Sequence, residues 1–253
     1  MLSEERHQII LNMLDAQGSV LVTDLVSQFD VSEMTIRRDL DVLERKGLLR
    51  RVHGGAVSDR GRSYEPPFLS RRTTQQDEKT RIGKVAAGLV RSGESITLDV
   101  GTTTLEVARN LAEKQNLTII TPCFQIAALL CENPAIRLIL TGGILRPGEL
   151  SMVGHMAERV FEEFYVDKLF LGAAGIDFEV GLTEYNLEDT LVKQSMLRSA
   201  KQVILVADAS KFNRVAFTSI APLTVVNTVV TDQSIEPAVI ARLQDIDIEV
   251  ILA

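Results

Sequence analysis

The sequence predicts a two-domain chain: an N-terminal winged helix-turn-helix domain and a larger α/β effector domain built on a mainly parallel sheet. Three features carry that expectation. Residues 1–57 hold three helical apolar periodicities followed by a short basic stretch with strand character. Residues 58–75 gather Arg60, Gly61, Arg62, Pro66 and Pro67, the texture of a linker. From Asp77 onward, in residues 76–253, short aliphatic runs alternate with helical patterns, with Gly, Thr and Asp at the junctions.

At 253 residues the chain has room for two domains, and 45% hydrophobic against 24% charged residues suits a protein with buried cores. Trp is absent and aromatics make up 5%, which argues against stacking platforms for single strands or sugar rings. No apolar run approaches the ~20 residues of a membrane span. The stretch from Met1 to Arg6 carries Glu4 and Glu5 and no apolar signal core, so a cytoplasmic protein without a membrane partner is expected. Cys123, Cys131 and three scattered histidines offer no zinc spacing, and no cofactor is expected. The two cysteines read as half-buried thiols, His7 and His155 as surface residues, and Phe161, Phe164 and Phe170 as packing residues.

Charge is unevenly distributed. The net value is −7, yet residues 37–72 hold ten Lys and Arg against five acids. Residues 1–36 hold one Arg against six acids. A basic stripe within an acidic chain is a local footprint for a polyanion, although a solvated charged face would look the same by charge alone.

The first sixty residues decide between them. Helical pattern alone would not exclude a small helical bundle with a charged surface, and the basic wing that follows weighs against it. Ser3 is placed to cap a first helix in which Ile9, Ile10, Met13 and Leu14 share a face, with Gly18 ending it. Val22, Leu25, Val26 and Phe29 give the buried stripe of a second helix. Ser32 caps a third, in which Ile36, Leu40 and Leu43 point inward. That leaves Met34, Arg38 and Arg45 on the opposite face and Arg37 at the flank. Gly47 closes the helix, and Arg50, Arg51, Val52 and His53-Gly54-Gly55-Ala56 read as two short strands of a basic wing. Such a helix fits the major groove of double-stranded operator DNA while a wing holds the backbone. Ser32, Glu33, Met34, Thr35, Arg37, Arg38, Arg51 and His53 are the expected DNA-contacting residues, with His53 equally suited to a structural role.

At these residues the sequence resembles the DeoR family of bacterial transcriptional regulators. The family's spacing of Arg, aliphatic, aliphatic and Ser-x-x-Thr-aliphatic-Arg-basic-Asp-aliphatic appears as Arg6, Ile10, Leu14, Ser32, Thr35, Ile36, Arg37, Arg38, Asp39 and Leu40. His53-Gly54-Gly55-Ala56 matches the family's wing ending.

In the larger domain, residues 95–99, 117–121, 137–141, 168–172, 203–208 and 225–231 read as strands, and 103–113, 125–132, 155–164, 187–199 and 236–244 as helices. Ligands of such sheets bind at the carboxyl ends of the strands. There the sequence places Asp99-Val100-Gly101-Thr102-Thr103-Thr104, Thr141-Gly142-Gly143, Gly172-Ala173-Ala174-Gly175-Ile176-Asp177 and Asp208-Ala209-Ser210-Lys211. A Gly and hydroxyl-rich turn feeding a helix start suits a phosphate. The nucleotide P-loop is excluded, because no Gly-Lys-Ser/Thr ending is present.

The family resemblance implies a sugar-phosphate isomerase-like fold here, related to ribose-5-phosphate isomerase. It places Asp99, Gly101, Thr102, Thr103, Thr104, Gly142, Gly143, Lys193 and Lys211 around a phosphorylated sugar or sugar alcohol. Ala173-Ala174 stands where family members often carry an acid, which counts against an enzyme. The expectation is a non-enzymatic repressor of a carbohydrate catabolic operon, released by its effector and working as a homo-oligomer, either dimer or tetramer. The alternative is a sugar-phosphate isomerase carrying a DNA-binding arm.

Overall fold

The structure, a computed structural model, describes residues 2–58 and 61–253; Met1 and Arg60, both cited above, lie outside the described residues. It divides into two compact units, residues 1–66 and 67–253.

The smaller unit runs α1 (Ser3–Gln17), β1 (Ser19–Leu21), α2 (Val22–Phe29), α3 (Glu33–Arg45), β2 (Arg50–Val52) and β3 (Gly55–Val57). Its core joins Ile10 and Leu14 of α1, Leu25 and Phe29 of α2, and Ile36, Leu40 and Leu43 of α3. Ser3 falls one residue inside α1 instead of capping it: Glu5 reaches back to the Leu2 N–H at 3.0 Å, and the Ser3 hydroxyl turns to Asp39 at 3.3 Å. Gly18 ends α1 in the left-handed conformation. The wing gains a third strand, in the order β1-β3-β2. Gly55 is required there, since a Cβ would lie 2.1 Å from the Val20 carbonyl oxygen.

The larger unit begins with α4 (Phe68–Thr73) and α5 (Gln76–Gly88), so part of the stretch expected as linker is ordered helix. Pro66 and Pro67 precede α4 and do not break it, as proline is compatible with a helix start. Phe68 anchors the helix in the core. There follow β4 (Ser95–Leu98), α6 (Thr102–Leu111), β5 (Leu117–Thr121), α7 (Phe124–Leu130), β6 (Ile136–Leu140), β7 (Ile144–Arg146), β8 (Ser151–Val153) and α8 (His155–Glu163). The chain continues through β9 (Val166–Leu171), β10 (Gly175–Asp177), β11 (Gly181–Glu184), α9 (Leu187–Ser199), β12 (Ala200–Val206), β13 (Thr218–Ala221), β14 (Thr228–Thr231), α10 (Pro237–Gln244) and β15 (Glu249–Leu252).

Seven strands form one sheet in the order β15-β14-β12-β9-β4-β5-β6, every pairing parallel. Alternate residues feed the two faces. Leu169 and Leu171 pack with Phe161, Val192, Met196 and Leu243 of α8, α9 and α10. Phe170 between them packs with Ile82, Leu105, Leu111 and Leu130 of α5, α6 and α7. From β4 the chain builds outward through β5 and β6, then returns to the other side at β9. The β4/β9 border is therefore the switch point, at whose carboxyl ends sheets of this kind bind their ligands. Among the described residues no helix is long and apolar enough to cross a membrane.

Candidate functional site

In the smaller unit, α3 starts at Ser32, whose hydroxyl accepts from the Thr35 N–H at 3.2 Å. Burying Ile36, Leu40 and Leu43 turns Glu33, Met34, Arg37 and Arg38 to solvent, with Met34 67% exposed. Arg37 is held by Glu33 one turn back at 2.6 Å, whereas Arg38 makes no hydrogen bond or ion pair among the described residues. The helix is fixed from behind. Asp39 is buried and accepts from Arg6 at 2.5 Å and pairs with His7 at 2.9 Å. Burial opposes the charge on Asp39, but the bonds from Arg6 and His7 outweigh it and hold the carboxyl below its ordinary range. His7 is thus a largely covered partner of Asp39, not the surface residue expected from sequence.

The wing places its two expected contacts differently. His53 sits exposed at the β2–β3 turn, beside Gly54 with φ +81°. Arg51 points back to α3: its guanidinium bonds Asp41, and its main-chain N–H donates to Glu44 at 2.7 Å. In this arrangement Arg51 braces the wing against the helix.

In the larger unit, the switch point holds a buried charge cluster. Asp99 ends β4 and is 1% exposed. One carboxylate oxygen accepts from the Val100 N–H at 2.7 Å; the other accepts from Gly172 N–H at 2.9 Å and from Lys193 at 2.6 Å. Lys193, on α9, also donates to the Gly172 carbonyl at 2.8 Å and meets Glu184 at 3.0 Å. Three acceptors use its three protons. Burial works against its charge, and Asp99 and Glu184 more than offset that, so the ammonium is held protonated. Burial dominates at Asp99 and pushes its carboxyl up. Both residues were expected to face an effector; the structure joins them to each other.

The open chemistry lies one step along. The first bond within α6 runs from Leu105 N–H to Gly101 O at 3.0 Å, leaving the amides of Thr102, Thr103 and Thr104 without helical acceptors. Thr104 donates its hydroxyl to Gly101 O at 3.0 Å, while the Thr102 and Thr103 hydroxyls make no hydrogen bond among the described residues. Lys211 follows β12 in a short helical turn started by Asp208, whose carboxylate accepts from Ser210 N–H at 3.1 Å. Lys211 has no ion-pair partner within 4 Å among the described residues. Its ammonium is pushed down, mainly by burial and partly by Arg214 and Arg71. Gly142 and Gly143 take φ +72° and +110° at the entry to the β7–β8 hairpin, and a Cβ on Gly143 would lie 2.6 Å from Val153 O. Geometry explains both glycines as backbone necessities.

Several charged residues of this region went unread in the sequence. Arg71 of α4 pairs with Glu149, buried at the β7–β8 turn. Arg146 of the same hairpin pairs with Asp189 of α9. Lys79 of α5 is 3% exposed and donates to two main-chain carbonyls, including Thr74 O at 2.6 Å. Arg71 and Glu149 are 78 positions apart, a separation that local spacing cannot signal. Cys123 is fully buried, not half-buried, and burial pushes its thiol up to about 11.

A helix-turn-helix reader followed by an α/β domain with loops open at its carboxyl edge defines a two-domain DNA-binding transcriptional regulator. The chain belongs to the DeoR family: residues 6–62 match the DeoR-like helix-turn-helix domain and residues 74–233 the DeoR C terminal sensor domain. It is 39% identical over 250 residues to the uncharacterized HTH-type transcriptional regulator YulB of Bacillus subtilis, covering 99% of this chain and 96% of that one. It is 34% identical over 241 residues to the glycerol-3-phosphate regulon repressor of Escherichia coli K12, covering 95% of each. A putative aga operon transcriptional repressor of Escherichia coli O157:H7 is 33% identical, over 99% of this chain and 94% of the relative. Among solved structures, ribose 5-phosphate isomerase A from Methanocaldococcus jannaschii aligns over 55% of each chain with 21% identity and a TM-score of 0.42, too loose a likeness to build on.

Proposed function

We propose that this chain is a cytoplasmic, oligomeric repressor of a carbohydrate catabolic operon, released from its operator by a phosphorylated sugar or sugar alcohol. One observation carries the ligand assignment. Of the buried or half-buried cations in this region, Lys193, Arg71 and Arg146 each have a carboxylate, while Lys79, Arg214 and Lys211 have no ion-pair partner among the described residues, and Lys211 stands in the same domain as the amides and hydroxyls of Thr102 and Thr103. That is the donor set for a phosphate group. The names of the relatives, a glycerol-3-phosphate regulon repressor and an aga operon repressor, support the same reading.

Arg38 and Met34 on the open face of α3 read the base edges, with Ser32, Thr35, Arg37 and His53 toward the backbone. One such helix covers few base pairs, so at least two copies share an operator. Binding without turnover is favoured over isomerisation because two of the carboxylates that could serve as a base, Asp99 and Asp177, are already engaged by hydrogen bonds. Asp99 accepts three hydrogen bonds, and Asp177 is tied to the N–H groups of Glu179 and Val180 at 2.8 and 2.9 Å.

A thermal-shift screen of triose, pentose and hexose phosphates and their alcohols tests the proposal. A true effector at 100 times its Kd adds ~2.7 kcal/mol of stability, while its unphosphorylated counterpart adds nothing. Equal stabilisation by both would refute the phosphate assignment, and conversion of one sugar phosphate into another, followed by NMR, would restore the isomerase.

A further inference from the structure

We propose that β7, the outer strand of the β7–β8 hairpin, is the contact surface for a second copy of this chain, the two β7 strands pairing antiparallel across a two-fold axis at Leu145. The inference rests on the oligomeric reading above and names the surface that serves it.

The hairpin folds with its charges inward. Strand β8 is paired on both sides, with β7 and, through a bridge at Ser151, with Cys123. Strand β7 is therefore the outer edge, with no strand beyond it among the described residues. Arg146 of β7 turns to Asp189 of α9, and Glu149 at the hairpin turn pairs with Arg71 of α4. What stays exposed from Gly143 to Gly148 is uncharged: Gly143, Ile144, Leu145, Pro147 and Gly148. The apolar surface continues onto α8. A Cβ on Gly154 would lie 3.8 Å from Ile144 Cδ1, and exposed Met156 follows two residues later in the first turn of that helix.

Other sheet edges of the larger unit are protected against pairing. Strand β6 exposes Arg137, and β15 exposes Glu249. The outer side of β10 is covered where Ile176 bridges Phe212 and accepts from Arg214 N–H at 3.3 Å. On β13 the Ser219 and Ile220 carbonyls accept from Gln194, both at 3.2 Å. Strand β7 carries neither an exposed charge nor a cover, and its free main chain is a template for another strand.

Symmetry and area make that strand a second β7. Antiparallel pairing of a strand with its own copy is self-complementary about a two-fold axis, the commonest symmetry of soluble oligomers. Ile144 is 68% and Met156 69% exposed, and with Leu145 they offer roughly 400 Å² of apolar surface. A standard interface takes ~800 Å² from each partner and is a little over half apolar, so these three side chains come close to supplying its apolar share.

The full chain is tested by sedimentation and by oxidative cross-linking. Wild type sediments as a dimer or tetramer at micromolar concentration. Leu145→Lys sets two like charges on the axis, weakens that interface by roughly a hundredfold and steps the assembly down, tetramer to dimer or dimer to monomer. In a Cys131→Ser background, which removes the exposed thiol, Leu145→Cys closes a disulfide between two chains on treatment with diamide. Residues directly opposite in an antiparallel pair have Cα atoms ~4.5–5.5 Å apart, within disulfide reach. Arg137→Cys, at the edge of β6, does not cross-link. The cysteine variant adds no charge, so it decides the matter should the lysine variant fail to fold. Wild-type assembly in a folded Leu145→Lys, or no interchain disulfide in Leu145→Cys, overturns the β7 interface and leaves the oligomeric reading to another surface. A wild type that sediments as a monomer, with and without operator duplex, overturns that reading and this inference with it.

Discussion

Arg6 on α1 and Asp39 on α3 meet at 2.5 Å in the interior of the DNA-binding unit, both nearly inaccessible to solvent. This pair fixes the angle at which α3 presents its outer face, and it explains why two residues 33 positions apart both belong to the signature that identifies the domain. Removing one partner leaves an uncompensated buried charge, which costs roughly 3–5 kcal/mol. Arg6→Ala should fall at the lower end, since His7 still reaches Asp39. Calorimetric melting of the N-terminal transition measures it.

The same pair sets an acid limit. Asp39 has a folded pKa below its unfolded value, so its contribution is complete above the unfolded pKa of ~3.9 and disappears as pH falls through the folded value. Denaturant titrations from pH 7 to pH 2.5 should show a loss of stability in the wild type that is smaller in Asp39→Asn.

Arg38→Ala should weaken operator binding while leaving the fold intact, because Arg38 bonds nothing among the described residues. A base contact costs ~1–3 kcal/mol and relaxes specificity at one position; a phosphate contact weakens all sequences and lowers the salt slope by ~1. Anisotropy titrations with a selected duplex and its single-base variants separate the two, and unchanged affinity would remove Arg38 from the interface.

Lys193→Met should destabilise the sensor domain before it affects any ligand. It leaves Asp99 and Glu184 facing each other in the interior, a loss of roughly 3–5 kcal/mol. Restoring part of that stability with Glu184→Gln in the same chain would show that the penalty is electrostatic; denaturant midpoints report it.

Much of this was legible in the sequence, and the reason is periodicity. Ile36, Leu40 and Leu43 announce the inward face of α3, and the aliphatic run around Phe170 announces a strand buried on both sides. The hairpins escaped because β7 and β8 are three residues each, too short for alternation to register. Strand β15 escaped for a similar reason, and α4 because its prolines looked like breakers. The loops that follow the strands were legible as runs of glycine, threonine and aspartate. What sequence could not show was partner choice: Lys193 and Asp99 looked like two open groups, and folding spends each on the other.

The most direct test is operator release. Wild-type protein bound to a selected operator duplex is titrated with the stabilising sugar phosphate and with the same sugar unphosphorylated, reading DNA anisotropy. Release should follow the phosphorylated compound only, and Thr103→Val and Lys211→Ala should stay on the DNA at concentrations that free the wild type. Release by the unphosphorylated sugar, or a wild-type response in both variants, would contradict a phosphate site at the start of α6.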